Sequence, residues 1–186
     1  MSSPQGSPRI ALTALAPGQW VLDPAESTVL FRHSAMWGLV AVRGEFGVIS
    51  GHGELSADGS AHGRLVIDAA SLDTGNAKRD THLRSADFFD VQAHPQLVFD
   101  ARSVTATTAD SATVDGTLTV RGTTKAMSFT AHAAEAGADV VTLTAELKVD
   151  RADFGLIWNK VGMIKGPATI TVDARFTRQG AGIGLS

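Results

Sequence analysis

The stretch Val141-Thr-Leu143-Thr-Ala145-Glu-Leu147-Lys-Val149 decides the fold, because apolar and polar side chains alternate along it without a break. Successive side chains of a strand point to opposite faces of a sheet, so this pattern predicts a half-buried β-strand. The same alternation recurs over residues 114–120 and 170–176, with Thr frequent on the polar faces. Thr suits strands because β-branching stiffens its χ1 angle.

Less regular strands are predicted around these three, over residues 28–34, 40–50, 63–69, 96–105 and 125–135. Asp58-Gly59 predicts a two-residue type I′ hairpin turn, which pairs residue 55 with residue 62. Residues 76–85 break the pattern with helical spacing, which brings Asp80 and Arg84 together as an i,i+4 ion pair. About eight strands at hairpin spacing indicate an antiparallel barrel or sandwich. We predict an all-β fold: a single antiparallel β-barrel with one short helical insertion.

Composition favours one globular domain, since 44% of the 186 residues are hydrophobic and 19% are charged. The net charge of -3 gives no electrostatic footprint for a nucleic-acid partner. The chain has no cysteine, which excludes disulfides and thiol chemistry. No apolar run reaches the roughly 18 residues of a spanning helix, so the protein is not expected to span a membrane.

The first 18 residues read as a flexible polar arm. Arg9 is the only positive side chain before a short apolar stretch, and a signal peptide needs a longer one of about 7–15 residues. We therefore expect a cytoplasmic protein with an arm at residues 1–18, a barrel domain at 19–178 and a tail at 179–186.

Four segments resemble the YceI-like family in order and spacing over residues 20–177. They are Trp20-Val-Leu-Asp23-Pro24 followed by residues 27–46, Lys78-Arg79-Asp80-Thr-His82-Leu83-Arg-Ser85-Ala-Asp87-Phe88-Phe89-Asp90 with residues 94–99, Val114-Asp-Gly116-Thr-Leu118-Thr-Val120-Arg-Gly122, and Arg151-Ala-Asp-Phe154-Gly155. The resemblance implies a lipocalin-like barrel with an apolar bore, similar to polyisoprenoid-binding proteins. It brings no catalytic constellation with it.

Candidate lipid-binding residues follow from these segments and from strand parity. Arg79 and His82 belong to the densest polar cluster, which is either a head-group contact at the barrel mouth or a solvated helical turn. His33 shares a face with Val29 and is either a ligand contact or a core histidine bonded to a backbone carbonyl. The full set is His33, Trp37, Arg79, His82, Phe88, Phe89, Phe99, Leu118, Phe154 and Trp158. Gly116, Ala145 and Ala174 are expected to leave room inside the bore.

Histidine placement argues against a metal site. With a two-residue turn, His62 shares its face with Leu55, whereas His52 lies on the opposite face. The chain also lacks a Gly-x-Ser-x-Gly nucleophile motif. We therefore predict no metal, no cofactor and no catalytic residue.

The predicted function is non-catalytic binding, sequestration or transport of a long apolar lipid, an isoprenoid or a similar molecule, in the bore. Two alternatives stay open: a small-molecule enzyme with its site in the barrel, and a filled barrel acting as a stress-response or interaction module. The sequence also leaves a homodimer open.

Overall fold

The alternating stretches form long strands of one antiparallel sheet in the computed structural model, which describes residues 11–35, 40–157 and 166–180. Within these ranges the strands are β1 (Gly18–Leu22), β2 (Thr28–Ala35), β3 (Val40–Phe46), β4 (Ile49–Leu55), β5 (Ala61–Asp68), β6 (Leu72–Asp73), β7 (Gln96–Ala106), β8 (Ser111–Val120), β9 (Thr123–Ala136), β10 (Val140–Val149) and β11 (Ala168–Arg178). A single α-helix in this part of the chain, α1 (Ala77–Arg84), lies between β6 and β7. Short 3-10 turns occur at Leu12–Ala14, Pro24–Glu26, Ala69–Ser71 and Arg151–Phe154.

Eight strands close into a barrel. Around the wall they run β1, β4, β5, β7, β8, β9, β10 and β11, and β11 returns to β1 through Leu22↔Phe176 and Trp20↔Arg178. All of these neighbours are antiparallel. Strands β2, β3 and β6 extend the sheet from β11 through pairs such as Val172↔Val29. The predicted single antiparallel barrel with one helical insertion is confirmed.

The predicted strand over residues 40–50 is two strands. The chain breaks at Gly47-Val48, where the Gly47 N–H donates to the Ser71 carbonyl at 3.2 Å and Val48 is 58% exposed. The break lets β3 pair with β2 while β4 pairs with β1. One long stretch of sequence therefore serves the barrel wall and the extension of the sheet.

The turn at Asp58-Gly59 is a three-residue loop, so the predicted two-residue pairing was wrong by one residue. Gly59 has a φ of +86° and its N–H donates to the Ser56 carbonyl at 3.0 Å, as in a type I turn followed by a left-handed glycine. Observed pairs are Leu55↔Ala61 and Glu54↔His62.

In this register His62 pairs with Glu54, which lies two residues from His52 along β4. His62 and His52 therefore share the outer face of the sheet, and their predicted placement on opposite faces was wrong. Within the loop, the hydroxyl and backbone N–H of Ser60 donate to the Asp58 carboxylate and hold the pKa of Asp58 below its ordinary value.

The β8–β9 hairpin carries the two-residue turn instead. Val120 pairs with Thr123, and the residues between them, Arg121 and Gly122, have φ angles of +48° and +74°. Two successive positive φ angles are the mark of a type I′ turn. Arg121 is thereby held at the tip of the hairpin.

Helix α1 begins and ends as the sequence predicts. The Asn76 side chain accepts the backbone N–H of Arg79 at 3.0 Å, which caps the first turn, and the Ser85 N–H donates to the His82 carbonyl at 3.1 Å. The segments flanking α1 deliver Leu72 and Phe88 to the main apolar core, where they meet residues of the barrel strands. The segments that flank α1 therefore close one end of the barrel, which we call the helix-covered end.

Candidate functional site

The inner wall of the barrel is apolar yet incompletely buried. Residues directly opposite one another on paired strands share a face, so the pairs Leu65↔Phe99 and Phe99↔Leu118 define one inward row. Half-buried side chains on the inward face are Leu65, Phe99, Leu118, Met127, Phe129, Leu143, Leu147, Val149, Ile170, Val172 and Phe176. A packed interior would bury such residues as deeply as Leu72 and Val29, which are 0% and 2% exposed. The inner wall therefore keeps accessible apolar surface.

Gly116 does not leave room in the bore as expected. A Cβ at this position would lie 2.9 Å from Phe99 Cζ and would collide with the Asp100 carbonyl oxygen. The Phe99 ring occupies the space above the glycine and reaches Phe129, with the ring centroids 5.4 Å apart. The missing side chain thus allows close approach of an aromatic ring and a neighbouring strand.

Ala145 and Ala174 do lie on inward rows, opposite Val172 and Leu143 respectively. Ala145 is half-buried, whereas Ala174 is only 7% exposed and belongs to the core.

Of the predicted phenylalanines, Phe99 lies in the barrel wall and the other three divide into two groups. Phe88 and Phe154 are buried, 7% and 3% exposed, and belong to the core at the helix-covered end. Phe89 is half-buried and meets Phe46 edge-on at 6.1 Å, and Phe46 lies 5.8 Å from Phe31. The second group extends an aromatic surface from the helix-covered end toward β2.

Arg79 binds the loop that precedes its own helix. Its Nε donates to Thr74 Oγ1 at 2.8 Å, and its Nη2 donates to the Thr74 carbonyl at 3.0 Å. The buried carboxylate of Asp80 accepts the Thr74 N–H and hydroxyl from the other side. Thr74 is therefore fixed by two adjacent residues of α1.

The predicted Asp80–Arg84 ion pair is wrong. Arg84 donates from Nε to the Ala70 carbonyl at 2.9 Å and from Nη2 to the Leu72 carbonyl. Asp80 is already engaged by Thr74, so backbone carbonyls and N–H groups of the preceding loop replace the intrahelical partner.

The two histidines of the predicted site have identified neighbours. His82 Nε2 lies 3.4 Å from Asp87 Oδ2, and its ring meets Phe88 edge-on at 5.5 Å. His33 is half-buried on an inward row of β2, with Nε2 3.0 Å from the Gly166 carbonyl oxygen. That contact is a bond to a backbone carbonyl, one feature of the core-histidine interpretation, and a ligand contact from His33 remains a prediction. Trp37 and Trp158 lie outside the described residues.

Sequence reasoning missed the arginines that tie the helix-covered end together. Arg121 Nη2 donates to the Ala86 carbonyl at 2.8 Å and Nη1 to the Gly155 carbonyl at 3.2 Å. Arg151 Nη1 donates to the Leu156 carbonyl at 2.8 Å, and burial lowers the pKa of this guanidinium. An Arg-Gly pair between two alternating runs is the signal that could have identified the first of them.

A cleft of about 490 Å³ opens beside Arg121 at this end. It is lined by Ala86, Asp87, Arg121, Thr123, Phe154, Gly155 and Ile157. Ile157 is 72% exposed, so the cleft has an apolar rim as well as a cationic one. Among the described residues, no helix has the length and apolar character to cross a bilayer.

Two sequence relatives are informative. A UPF0312 protein of Shewanella baltica (strain OS185) is 28% identical over 186 residues, a match that covers 94% of this chain and 93% of the relative. A UPF0312 protein of Ectopseudomonas mendocina (strain ymp) is 43% identical over 61 residues, which span 33% of this chain and 32% of that relative.

Two solved structures share the fold. BcnA of Burkholderia cenocepacia matches with a TM-score of 0.75 at 21% identity, covering 83% of this chain and 98% of that chain. A polyisoprenoid binding domain from Saccharophagus degradans, implicated in plant cell wall breakdown, gives 0.70 at 20% identity, with coverages of 86% and 98%. A model of the YceI-like domain matches residues 20–176, from β1 to β11, and confirms the resemblance seen in the sequence. The chain belongs to the YceI-like family.

Proposed function

We propose that the protein binds a long apolar lipid of the polyisoprenoid type in the bore of the barrel and sequesters or transports it without catalysis. The observation that carries the proposal is the inner wall, whose apolar side chains face inward and are half-buried. A hydrocarbon chain covers such a wall without leaving a buried polar group unsatisfied. The polyisoprenoid binding domain from Saccharophagus degradans, which shares the fold, supports this choice of ligand class.

Energetics favour a long ligand over a short one. Each methylene moved from water to an apolar site contributes about 0.8 kcal/mol, so ten carbons contribute about 8 kcal/mol. Association costs roughly 4–15 kcal/mol in lost translational and rotational freedom. A chain well beyond ten carbons is therefore needed for tight binding.

The residues proposed to contact this chain remain those of the sequence prediction, with the wall residues best supported. Leu118 and Phe99 lie opposite each other on adjacent strands and face inward. Phe89 offers half-buried aromatic surface near the helix-covered end. Contacts from Arg79, His82 and His33 to a head group remain predictions. Each of these side chains has a protein partner, which a head group would have to share or replace.

The decisive experiment is organic extraction of freshly purified protein followed by mass spectrometry. We expect a long-chain isoprenoid in stoichiometric amount. Leu118→Trp should lose it, because the indole would fill the bore. Thr117→Trp is the matched control, since the neighbouring residue faces outward on the same strand and should leave the lipid in place.

An empty extract from wild-type protein, together with no uptake of added prenyl or acyl lipids, would contradict lipid binding. A filled barrel acting as an interaction module would then be the better account. Equal lipid loss in both tryptophan variants would indicate that folding, not the bore, was damaged.

The domain limits of 19–178 and cytoplasmic residence also remain predictions. Cell fractionation combined with N-terminal sequencing tests both. A mature form that begins at Pro17 would contradict the retained arm.

A further inference from the structure

Lys125 occupies an unexpected position on the inner face of the barrel. It pairs with Leu118, which pairs with Phe99, so the three residues lie in one inward row across β7, β8 and β9. Its neighbours along the same face of β9, Thr123 and Met127, are half-buried, whereas Lys125 is exposed. A lysine stem thus starts from the apolar wall and carries its ammonium group to solvent.

Within the described residues, this ammonium has no acidic partner. Other cations near the barrel are satisfied: Arg64 binds Asp100, Arg175 binds Glu135, and Arg121 binds two backbone carbonyls. The inward row of β11 ends in a second cation, Arg178, but its Nε lies 2.7 Å from Asp139 Oδ1. Lys125 is the cation of the inward rows that the described structure leaves without an anion.

The hydrogen-bonded ladder between β9 and β10 covers only part of the two strands, and Lys125 lies outside the paired part. The ladder between β9 and β10 runs from Val141↔Ala136 to Thr144↔His132 and ends there. Residues 123–131 of β9 pair with β8 and residues 145–149 of β10 pair with β11, but these two neighbouring segments are not paired with each other. We call the line between these two segments the β9–β10 seam.

The seam leads to the cleft at the helix-covered end. Thr123, two residues from Lys125 on the same face, lines that cleft together with Phe154 and Arg121. Asp87 is the acidic group in the cleft, and it lies 3.4 Å from His82. The bore, the seam and a cationic rim therefore meet in one region.

We infer that Lys125 binds the anionic head group of the lipid whose chain occupies the bore, with the head group placed at the β9–β10 seam. The inference rests on the proposed function and adds the head-group class, a phosphate or a carboxylate. An ammonium offers three donors and a compact charge, and attraction to an anion is stronger beside an apolar wall than in bulk water.

The test compares ligands that share a chain and differ in charge. Dissociation constants are measured for geranylgeranyl diphosphate and geranylgeraniol with wild-type protein, Lys125→Met and Lys148→Met. Geranylgeranoic acid, with the same chain, is the third ligand and separates a carboxylate from a phosphate. Lys148 is the control because it lies on the outward face of β10 and is exposed.

Wild-type protein and Lys148→Met should bind an anionic ligand about tenfold or more tightly than the alcohol, the size expected for a hydrogen bond to a charged group. Lys125→Met should bring this ratio close to one while the affinity for the alcohol stays unchanged. Raised salt should reduce the preference in wild-type protein and have little effect in Lys125→Met.

A preference that survives in Lys125→Met would overturn the inference. So would equal affinity for all three ligands in wild-type protein, although lipid binding itself would then stand. If wild-type protein binds none of them, the proposed function and this inference both fail. Lys125→Gln, which keeps a polar side chain, serves as a second variant should the methionine variant not fold.

Discussion

Arg79 is the residue at which a structural role and a ligand-binding role make opposite predictions. Its two hydrogen bonds to Thr74 hold the loop between β6 and α1. A net contribution of about 1.5 kcal/mol for each, the low end for charged donors because the side chain is half-buried, gives about 3 kcal/mol in all. Arg79→Ala should therefore lower the free energy of unfolding by about 3 kcal/mol.

For a chain of this length, that loss corresponds to a fall in Tm of roughly 6–12 °C. Urea unfolding followed by circular dichroism measures the free energy directly, and an unchanged m value shows that the transition remains comparable. Lys78→Ala is the control, because Lys78 is exposed on the same helix and should change stability by less than about 0.5 kcal/mol.

The reasoning is refuted if Arg79→Ala unfolds within about 0.5 kcal/mol of wild-type protein. If that variant also loses discrimination between an anionic lipid and its neutral alcohol, Arg79 is a head-group contact as the sequence predicts. If stability falls and discrimination is kept, the arginine serves the loop.

Substitution of either of two glycines by alanine should lower the stability of the protein, for a different physical reason in each case. Gly116→Ala should cost about 1–3 kcal/mol of stability, because the new methyl group meets the Asp100 carbonyl and the Phe99 ring. Gly59→Ala should cost about 1 kcal/mol through its φ of +86° alone, since no atom lies within 4 Å of the new Cβ. Thermal unfolding checks both, and a Gly116→Ala variant as stable as wild-type protein would contradict the close packing described here.

Sequence periodicity predicts a strand well only where apolar side chains mark its inner face and polar side chains mark its outer face. Strands β8, β10 and β11 show the alternation in full. The alternation is not visible in strand β4, because its inward positions include Gly51 and Gly53, which have no side chain to mark a face. A Cβ at Gly51 would lie 3.3 Å from Leu22 Cβ and 3.0 Å from the Arg64 carbonyl oxygen, so a side chain there would press on both neighbours.

The candidate site was less predictable than the fold because its contacts are non-local. Helical spacing suggests Arg84 as the partner of Asp80, yet both side chains turn to the loop at residues 70–74. Which carbonyl faces a guanidinium depends on tertiary packing, which the spacing of charges along a helix does not encode. Lys125 shows the converse, since the head-group role proposed for it could be considered only once strand register placed it beside Leu118 and Phe99.

Closure of the barrel has a consequence for how the chain folds. The last strand, β11, bonds to β10 along one edge and to both β1 and β2 along the other, so Trp20 meets Arg178 across nearly the whole sequence. Contacts of such high sequence separation are slow to form, and β-rich topologies of this kind fold in milliseconds to seconds. Until they form, β10 and β1 present unpaired backbone and an open apolar face. A chain stopped before Ala168 is therefore expected to aggregate, and an isoprenoid present during refolding can meet the apolar wall before the barrel closes around it.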